Sequence, residues 1–145
     1  MIYSDFQGKQ LSMLGFGTMR LPTDSEGRID EAKTAEMTRY AIERGVNYFD
    51  TAWGYHNGNS ELVAGRCLSK YPRESFYLAT KLPVWLVNSV EDAERLFKEQ
   101  LSRLQTKYID YYLLHALDAG RWEKLVKEGI IEWAEAKKAS GKIRH

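Results

Sequence analysis

Four residues able to bind or transfer a proton stand at the ends of successive apolar runs or shortly after them. They are Asp50, Tyr55, Lys81 and His115. A carbonyl group that accepts hydride at its carbon also needs a proton at its oxygen, and a tyrosine hydroxyl alone is a weak donor at neutral pH. A neighbouring ammonium stabilises the phenolate, a carboxylate keeps that ammonium charged and in place, and an imidazole can orient the carbonyl oxygen. Together these residue types suit acid-catalysed reduction of a carbonyl group.

Each of the four residues also has an ordinary structural explanation. Asp50 could cap a turn, and Tyr55 could be an aromatic residue of a surface loop. Lys81 could be a solvated strand end, and His115 could be a hydrogen-bonded core histidine. Taken singly, each residue is better explained in these terms. Four such residues at equivalent positions make independent coincidence a poor explanation, so we favour the chemical interpretation.

The elements that must position these residues are short apolar runs separated by amphipathic segments. The runs predicted to be strands are Leu14 to Met19, Val46 to Thr51, Phe76 to Leu82 and Ile109 to His115. Their near-continuous hydrophobicity is typical of parallel strands with a covered outer face. Because parallel neighbours require crossover connections, strands alternating with helices predict an α/β fold with a parallel sheet.

The segments between the strands carry signals of helices. Asp30 is a predicted N-cap of the first helix. The residues that share one face of that helix, and that we expect to be buried, are Met37, Tyr40 and Ala41. The last helical segment, 122–139, contains Gly129, and the pattern leaves open whether a short turn precedes a longer helix there.

Two architectures fit strands that alternate with helices: the doubly wound sheet and the eight-stranded βα barrel. The stretch GFGTMR at 15–20 looks like a dinucleotide-binding fingerprint, but Arg20 stands where the third glycine belongs and no helix begins there. In a barrel, the carboxyl ends of all strands meet at one mouth, where active sites are built. A barrel would therefore bring the four proton-handling residues together.

Five stretches resemble the aldo-keto reductase superfamily in order and spacing: LGFGTMRLP, GVNYFDTAWGYHNGNSE, LATKLP, IDYYLLHAL and GKIRH. The resemblance covers the chain from about residue 10 to His145 and implies a (β/α)8 TIM barrel. It also implies an oxidoreductase that uses NADPH or NADH to reduce a small aldehyde or ketone.

The same resemblance implies roles for individual residues. Those that match the family's catalytic tetrad are Asp50, Tyr55, Lys81 and His115, with Tyr55 as the proton donor. Those that match residues near the nicotinamide and its ribose are Gly17, Thr18, Met19 and Asp50. The stretch HALDAGRWEKL resembles most the bacterial branch whose members often carry a C-terminal ferredoxin-like iron–sulfur segment.

The spacing of these residues bears on how much of a barrel is present. The unit of one strand and one helix repeats about every 32 residues, judged from Asp50 to Lys81 and from Lys81 to His115, whereas a complete barrel takes roughly 250 residues. We therefore expect residues 1–145 to form the N-terminal half of a barrel, a truncated unit with four β/α repeats and the start of a fifth strand at KIRH. In the family, most contacts to the rest of the cofactor come from later loops. We expect no NADPH binding, or weak binding, by residues 1–145 alone.

A half barrel would expose two sheet edges and an apolar inner face, which favours pairing. We therefore expect a homodimer that closes the barrel, with the fourth strand of each copy beside the first strand of the other. The alternative to an oxidoreductase is a non-catalytic half barrel that only binds or assembles.

The composition indicates a small-molecule partner and not nucleic acid or a membrane. The net charge is +1 and charges of both signs are interspersed. Cys67 is the one cysteine, so these residues contain no multi-thiolate metal site, and we predict no metal ligands. The first residues lack the pattern of a signal peptide, and no apolar stretch approaches the roughly 20 residues of a membrane helix. We expect a cytoplasmic protein.

Other aromatic residues give weaker indications. The tryptophans that could either line a substrate pocket or pack in the interior are Trp53, Trp85 and Trp122. His56, which follows Tyr55 directly, is expected to be solvated.

Overall fold

The computed structural model describes all of residues 1–145 and alternates strands with helices. The strands are β1 (Tyr3–Phe6), β2 (Lys9–Ser12), β3 (Phe16–Gly17), β4 (Tyr48–Asp50), β5 (Tyr77–Leu82) and β6 (Tyr111–Leu114). The helices are α1 (Glu31–Glu43), α2 (Ser60–Leu68), α3 (Val90–Arg103), α4 (Ala119–Lys127) and α5 (Ile130–Ala139). No helix combines the length and the apolar character that a bilayer crossing requires.

The main sheet has the order β3-β4-β5-β6, and every neighbouring pair is parallel. Each of these strands lies inside one of the four apolar runs, so the predicted α/β organisation is confirmed. The KIRH segment runs parallel to β6. It is held by bonds from the Ile109 N–H to the Lys142 carbonyl (2.9 Å) and from the His145 N–H to the Asp110 carbonyl (2.8 Å).

The first two strands form a hairpin that the sequence analysis did not predict. β1 and β2 pair antiparallel, and the turn residues Gln7 and Gly8 have φ values of 53° and 73°. Left-handed residues at both turn positions suit the twist of a two-residue hairpin. The ring of Phe6 lies 6.0 Å from that of Tyr111, the first residue of β6. The hairpin therefore lies at the amino-terminal end of the sheet, opposite the predicted site.

Helix α1 begins as predicted but buries a different face. The Asp30 carboxylate accepts a bond of 2.9 Å from the Lys33 N–H. The buried residues of α1 are Thr34, Thr38 and Ala41. Two residues expected to be buried, Met37 and Tyr40, are 42% and 57% exposed, so that prediction is wrong. The threonine hydroxyls donate to carbonyls one turn earlier, at 2.8 Å, so little polar cost opposes their burial.

The last helical segment of the chain is interrupted at Gly129, which separates two helices of similar length. Gly129 has a φ of 73°, a left-handed conformation that suits glycine. α4 has 9 residues before it and α5 has 10 after it. This settles the question that the sequence left open.

The core lies between the outer face of the parallel sheet and the helices that cover it. It forms one cluster of 19 buried apolar residues, including Phe49, Leu78 and Phe97. Gly65 of α2 packs directly on the end of α3. A Cβ there would collide with the Arg103 carbonyl oxygen, so glycine permits the close approach of these two helices.

Candidate active site

The parallel strands bring three of the predicted residues to the same end of the sheet. Asp50 is the last residue of β4, Lys81 is the residue before the end of β5, and His115 follows β6. Tyr55 begins the short 3-10 turn Tyr55–Gly58, which leads into α2. The sheet topology therefore produces the convergence that the sequence predicted.

Lys81 is the centre of the cluster. Its Nζ atom donates to both Asp50 carboxylate oxygens, at 3.0 and 2.8 Å, and to the Thr51 carbonyl at 2.7 Å. It also lies 3.3 Å from the Tyr55 hydroxyl oxygen. The Lys81 side chain is only 12% exposed, so solvent screens these contacts little. The Lys81 Nζ atom therefore contacts the carboxylate and the tyrosine hydroxyl at the same time.

Tyr55 is oriented by two neighbours. Its ring stands edge-on to the ring of His115, with centroids 5.9 Å apart and an interplanar angle of 88°. The Lys81 ammonium lies 4.9 Å from the centre of the Tyr55 ring. Because the ammonium donates to the hydroxyl oxygen, the hydroxyl keeps its own proton for transfer to another acceptor.

His115 presents a neutral imidazole beside Tyr55. Burial lowers its pKa, the charge of Lys81 lowers it further, and Asp50 acts in the opposite direction. The Nδ1 atom is buried and has no hydrogen-bond partner. A buried polar atom without a partner is costly, and a ligand at the mouth would give it one. The ring is therefore suited to hydrogen-bond a polar atom of a bound molecule.

The residues predicted to face a nicotinamide lie next to Asp50. Gly17 pairs in register with Asp50, and a Cβ on Gly17 would meet no atom within 4 Å. The N–H and the hydroxyl of Thr18 both donate to the Asp50 carbonyl, at 2.9 and 3.0 Å. Ser60 donates to the Thr18 hydroxyl at 2.7 Å. The Thr18 side chain is thus engaged within the fold, whereas Met19 is 57% exposed beside open space.

A buried polar network behind Lys81 escaped the sequence analysis. The Glu61 carboxylate is fully buried and accepts bonds from Thr80 (2.6 Å) and the Gln100 amide (2.7 Å). Gln100 also donates to the Lys81 carbonyl at 3.0 Å and accepts from Tyr112 at 2.6 Å. Burial raises the pKa of Glu61, against the lowering effect of these donors and of a nearby arginine. The network fixes the backbone that carries Lys81.

No pattern in the sequence indicates this network. A glutamate in the first turn of a helix is ordinary at an exposed position, where it interacts favourably with the helix dipole. A serine and an asparagine precede Glu61, which is typical of an exposed N-terminus. Its burial follows from the close approach of α2 to α3, and that approach is a tertiary feature.

The structure places the three tryptophans and His56 in different environments. Trp85 lies 5.2 Å from the His115 ring and is 43% exposed, so it belongs to the candidate site. Trp53 instead packs under the Arg103 guanidinium, 3.7 Å from its ring centre. Trp122 lies exposed on α4. The expectation that His56 is simply solvated is wrong, since its ring is partly buried and accepts a backbone hydrogen bond.

The chain matches the sequence model of the "Aldo/keto reductase family" over residues 13–145. It is 31% identical over 150 residues to the "Probable aldo-keto reductase 1" of Glycine max, covering 92% of this chain and 43% of that protein. It is 32% identical over 154 residues to the "NADH-specific methylglyoxal reductase" of Escherichia coli, covering 92% of this chain and 47% of that protein. The chain thus spans less than half the length of these relatives.

The fold is also similar to that of solved aldo-keto reductase structures. An aldo-keto reductase from Klebsiella pneumoniae in complex with NADPH superposes with a TM-score of 0.77 at 28% identity, over 96% of this chain and 45% of that one. The predicted fold class is confirmed: the parallel βα units correspond to the N-terminal half of a (β/α)8 barrel.

Proposed function

Because this chain belongs to the aldo/keto reductase family, we propose that it carries the proton-donating site for NAD(P)H-dependent reduction of an aldehyde or ketone. The observation that carries the proposal is the contact of one buried ammonium with a carboxylate and a tyrosine hydroxyl. Lys81 joins Asp50 at 2.8 Å and Tyr55 at 3.3 Å. Such a cluster has no evident structural purpose at the open end of a sheet, and it supplies an acid where one is needed.

Each of these side chains has a distinct part in the proposed step. The Tyr55 hydroxyl transfers its proton to the substrate oxygen while the carbonyl carbon is reduced. The Lys81 ammonium stabilises the resulting phenolate, and Asp50 keeps the ammonium in place. The His115 imidazole, held neutral, hydrogen-bonds the same substrate oxygen and orients it toward Tyr55. The exposed face of Trp85 borders the space left for the substrate.

The residues at the mouth fit a nicotinamide ring. Gly17 leaves open space next to Asp50, at the same end of the sheet as Lys81 and Tyr55. Gly17, Thr18, Met19 and Asp50 would hold the ring, Thr18 by fixing the backbone. When bound, the nicotinamide supplies the hydride. The Klebsiella pneumoniae relative in complex with NADPH and the Escherichia coli relative named as NADH-specific support the coenzyme class and leave the choice between the two coenzymes open.

Two finer expectations remain proposals. We propose that residues 1–145 alone bind NADPH weakly, since the chain covers only 45% of the NADPH-bound relative. The iron–sulfur segment rests on the HALDAGRWEKL stretch alone. The one cysteine of the chain, Cys67, is buried, so the ligands of any cluster would have to lie outside residues 1–145.

The function can be tested with the chain itself and with a chimera. The chimera joins residues 1–145 to the remaining C-terminal part of the Escherichia coli methylglyoxal reductase, a relative of 32% identity. We expect the chimera to oxidise NADPH or NADH when methylglyoxal or another small aldehyde is present, and the chain alone to show little activity. A folded chimera without aldehyde-dependent oxidation of either coenzyme would contradict the proposed function.

Assembly is a second candidate function, supported by the open edge of β3. No strand pairs with the outer side of β3, and an apolar groove of about 410 Å³ lies between it and α1. The exposed apolar residues of the groove include Leu14, Met37 and Tyr40. We propose that a second copy of the chain covers this edge. The outer edge of β6 is already bonded to residues 142–145, so the strand of the second copy that pairs with β3 would be this segment and not β6.

Sedimentation equilibrium tests the assembly. We expect a species of twice the 16.8 kDa chain mass at micromolar concentration. Leu14→Glu should shift the equilibrium toward monomer, because it places a charge in the apolar groove. Leu117→Glu, at an exposed residue outside the groove, is the matched control. A well-folded monomer at all concentrations would exclude the dimer.

A further inference from the structure

The His56 side chain joins two loops at the mouth of the sheet. His56 directly follows Tyr55, and its Nε2 atom accepts a hydrogen bond of 3.0 Å from the Leu21 backbone N–H. Leu21 lies in the loop after β3, 35 positions earlier in the chain. One imidazole therefore connects the segment proposed to face the nicotinamide with the segment that carries the proposed acid.

The backbone of His56 adopts an energetically unfavourable conformation. His56 and Asn57 have φ values of 51° and 55°, in the left-handed region that residues other than glycine adopt at an energetic cost. Glycine would adopt the same conformation freely. The bond to Leu21 is a compensation that the imidazole provides and glycine cannot.

The segment that His56 holds is fixed at its other end as well. Leu21 is 5% exposed, with its side chain packed against α2. Three residues earlier, Thr18 is bonded twice to the Asp50 carbonyl. Met19 lies between these two anchors and remains exposed. The position of Met19 relative to the mouth therefore depends on both anchors.

We propose that His56 is a positioning residue whose unprotonated ring ties segment 18–21 to the Tyr55 loop, and that uptake of a proton by the ring opens this tie. Only a ring nitrogen with a free lone pair can accept the Leu21 N–H, and a protonated imidazole donates from both nitrogens. The effect on catalysis rests on the proposed function. The tie itself is a property of the folded chain and can be tested without activity.

The charged groups that face His56 across a neighbouring cavity are already paired. Arg28 contacts Glu26 at 2.9 Å, and Arg66 contacts Glu31 at 2.6 Å. All four side chains line the same cavity of about 340 Å³ as His56. Each of these carboxylates therefore has an arginine in contact and does not serve as a free partner of the imidazole.

Two glycine variants separate the ring from the backbone conformation. His56→Gly removes both the acceptor and the unfavourable left-handed residue, whereas Asn57→Gly relieves the adjacent left-handed residue and keeps the ring. We expect the Leu21 amide to exchange with solvent about tenfold faster in His56→Gly than in Asn57→Gly, the effect of losing one hydrogen bond. Nitrogen-15 NMR measures this exchange.

A pH titration of the unmodified chain provides a second readout. The chain has 3 histidines, so the His56 ring signals can be assigned by substitution. We expect the Leu21 amide shift to change together with protonation of the His56 ring, and this co-titration to vanish in His56→Gly. In the chimera, His56→Gly should raise the KM for coenzyme more than it lowers kcat.

Either NMR result can overturn the proposal. Equal Leu21 exchange in the two glycine variants, or a Leu21 amide that does not follow the His56 ring, would show that the bond positions nothing. A coenzyme KM unchanged by His56→Gly in an active chimera would remove the role in catalysis. An inactive chimera with intact co-titration would contradict the proposed function and support the tie.

Discussion

Replacing Tyr55 with phenylalanine should lower the rate of carbonyl reduction by about 10² or more. The substitution removes the hydroxyl that lies 3.3 Å from the Lys81 ammonium and keeps the ring that packs edge-on against His115. Proton transfer from a positioned side chain typically contributes 10² to 10⁴ to a rate. The measurement is the steady-state rate of coenzyme oxidation by the chimera at saturating aldehyde.

A tyrosine elsewhere provides the matched control for this substitution. Tyr40→Phe removes a hydroxyl from a residue of α1 that is 57% exposed, and it should leave the rate unchanged. Binding of coenzyme to Tyr55→Phe should also stay the same, because the hydroxyl acts only on the substrate oxygen. An undiminished rate in Tyr55→Phe would remove this residue from the mechanism.

Lys81→Met should have the second largest effect and should also change the pH dependence. The substitution removes the positive charge that would stabilise the phenolate left after proton transfer. Lys81 also lowers the pKa of His115, so its loss raises that pKa. Because the proposed active form of His115 is the neutral imidazole, the acid limb of the pH–rate profile should move to higher pH. We expect a rate loss of about 10² at neutral pH.

The fold should survive this substitution, because methionine has a similar length and the Asp50 side chain is 31% exposed to water. Thermal unfolding checks this point. Lys98→Met removes a charge from a side chain that is 71% exposed and is the control for a general effect of charge. Superimposable pH–rate profiles of Lys81→Met and the unmodified protein would show that the ammonium acts neither on the His115 pKa nor on the proton transfer.

The main sheet and the convergence of the candidate site could be predicted because they depend on local patterns. Continuous apolar runs identify β4, β5 and β6, and parallel topology then places their carboxyl ends together. The helix start at Asp30 was equally readable, since N-capping is a contact within a few residues. None of these inferences needed knowledge of which elements touch.

The features that were predicted wrongly or missed depend instead on contacts between distant parts of the chain. Met37 and Tyr40 face outward, whereas Thr34 and Thr38, whose hydroxyls are bonded within the helix, are buried. The β1–β2 hairpin has no apolar alternation, and its strand β1 is exposed throughout. The acceptor role of His56 depends on a loop 35 positions away. Contacts of this kind leave no periodic trace in the sequence.

The network of Glu61, Thr80, Gln100 and Tyr112 has a consequence for how the sequence can change over evolutionary time. Helices α2 and α3 and strands β5 and β6 contribute one residue each to this network. The hydrogen bonds of each residue depend on the others. An apolar residue at Gln100 would leave the buried Glu61 carboxylate with Thr80 as its hydrogen-bond donor and would leave the Tyr112 hydroxyl without its acceptor. Such a partial loss costs more than replacing the whole set by apolar residues. We therefore expect these positions to change together and not one at a time. We expect variation among related sequences to be free at exposed positions such as Lys98, whose side chain is 71% exposed, and concerted within the network.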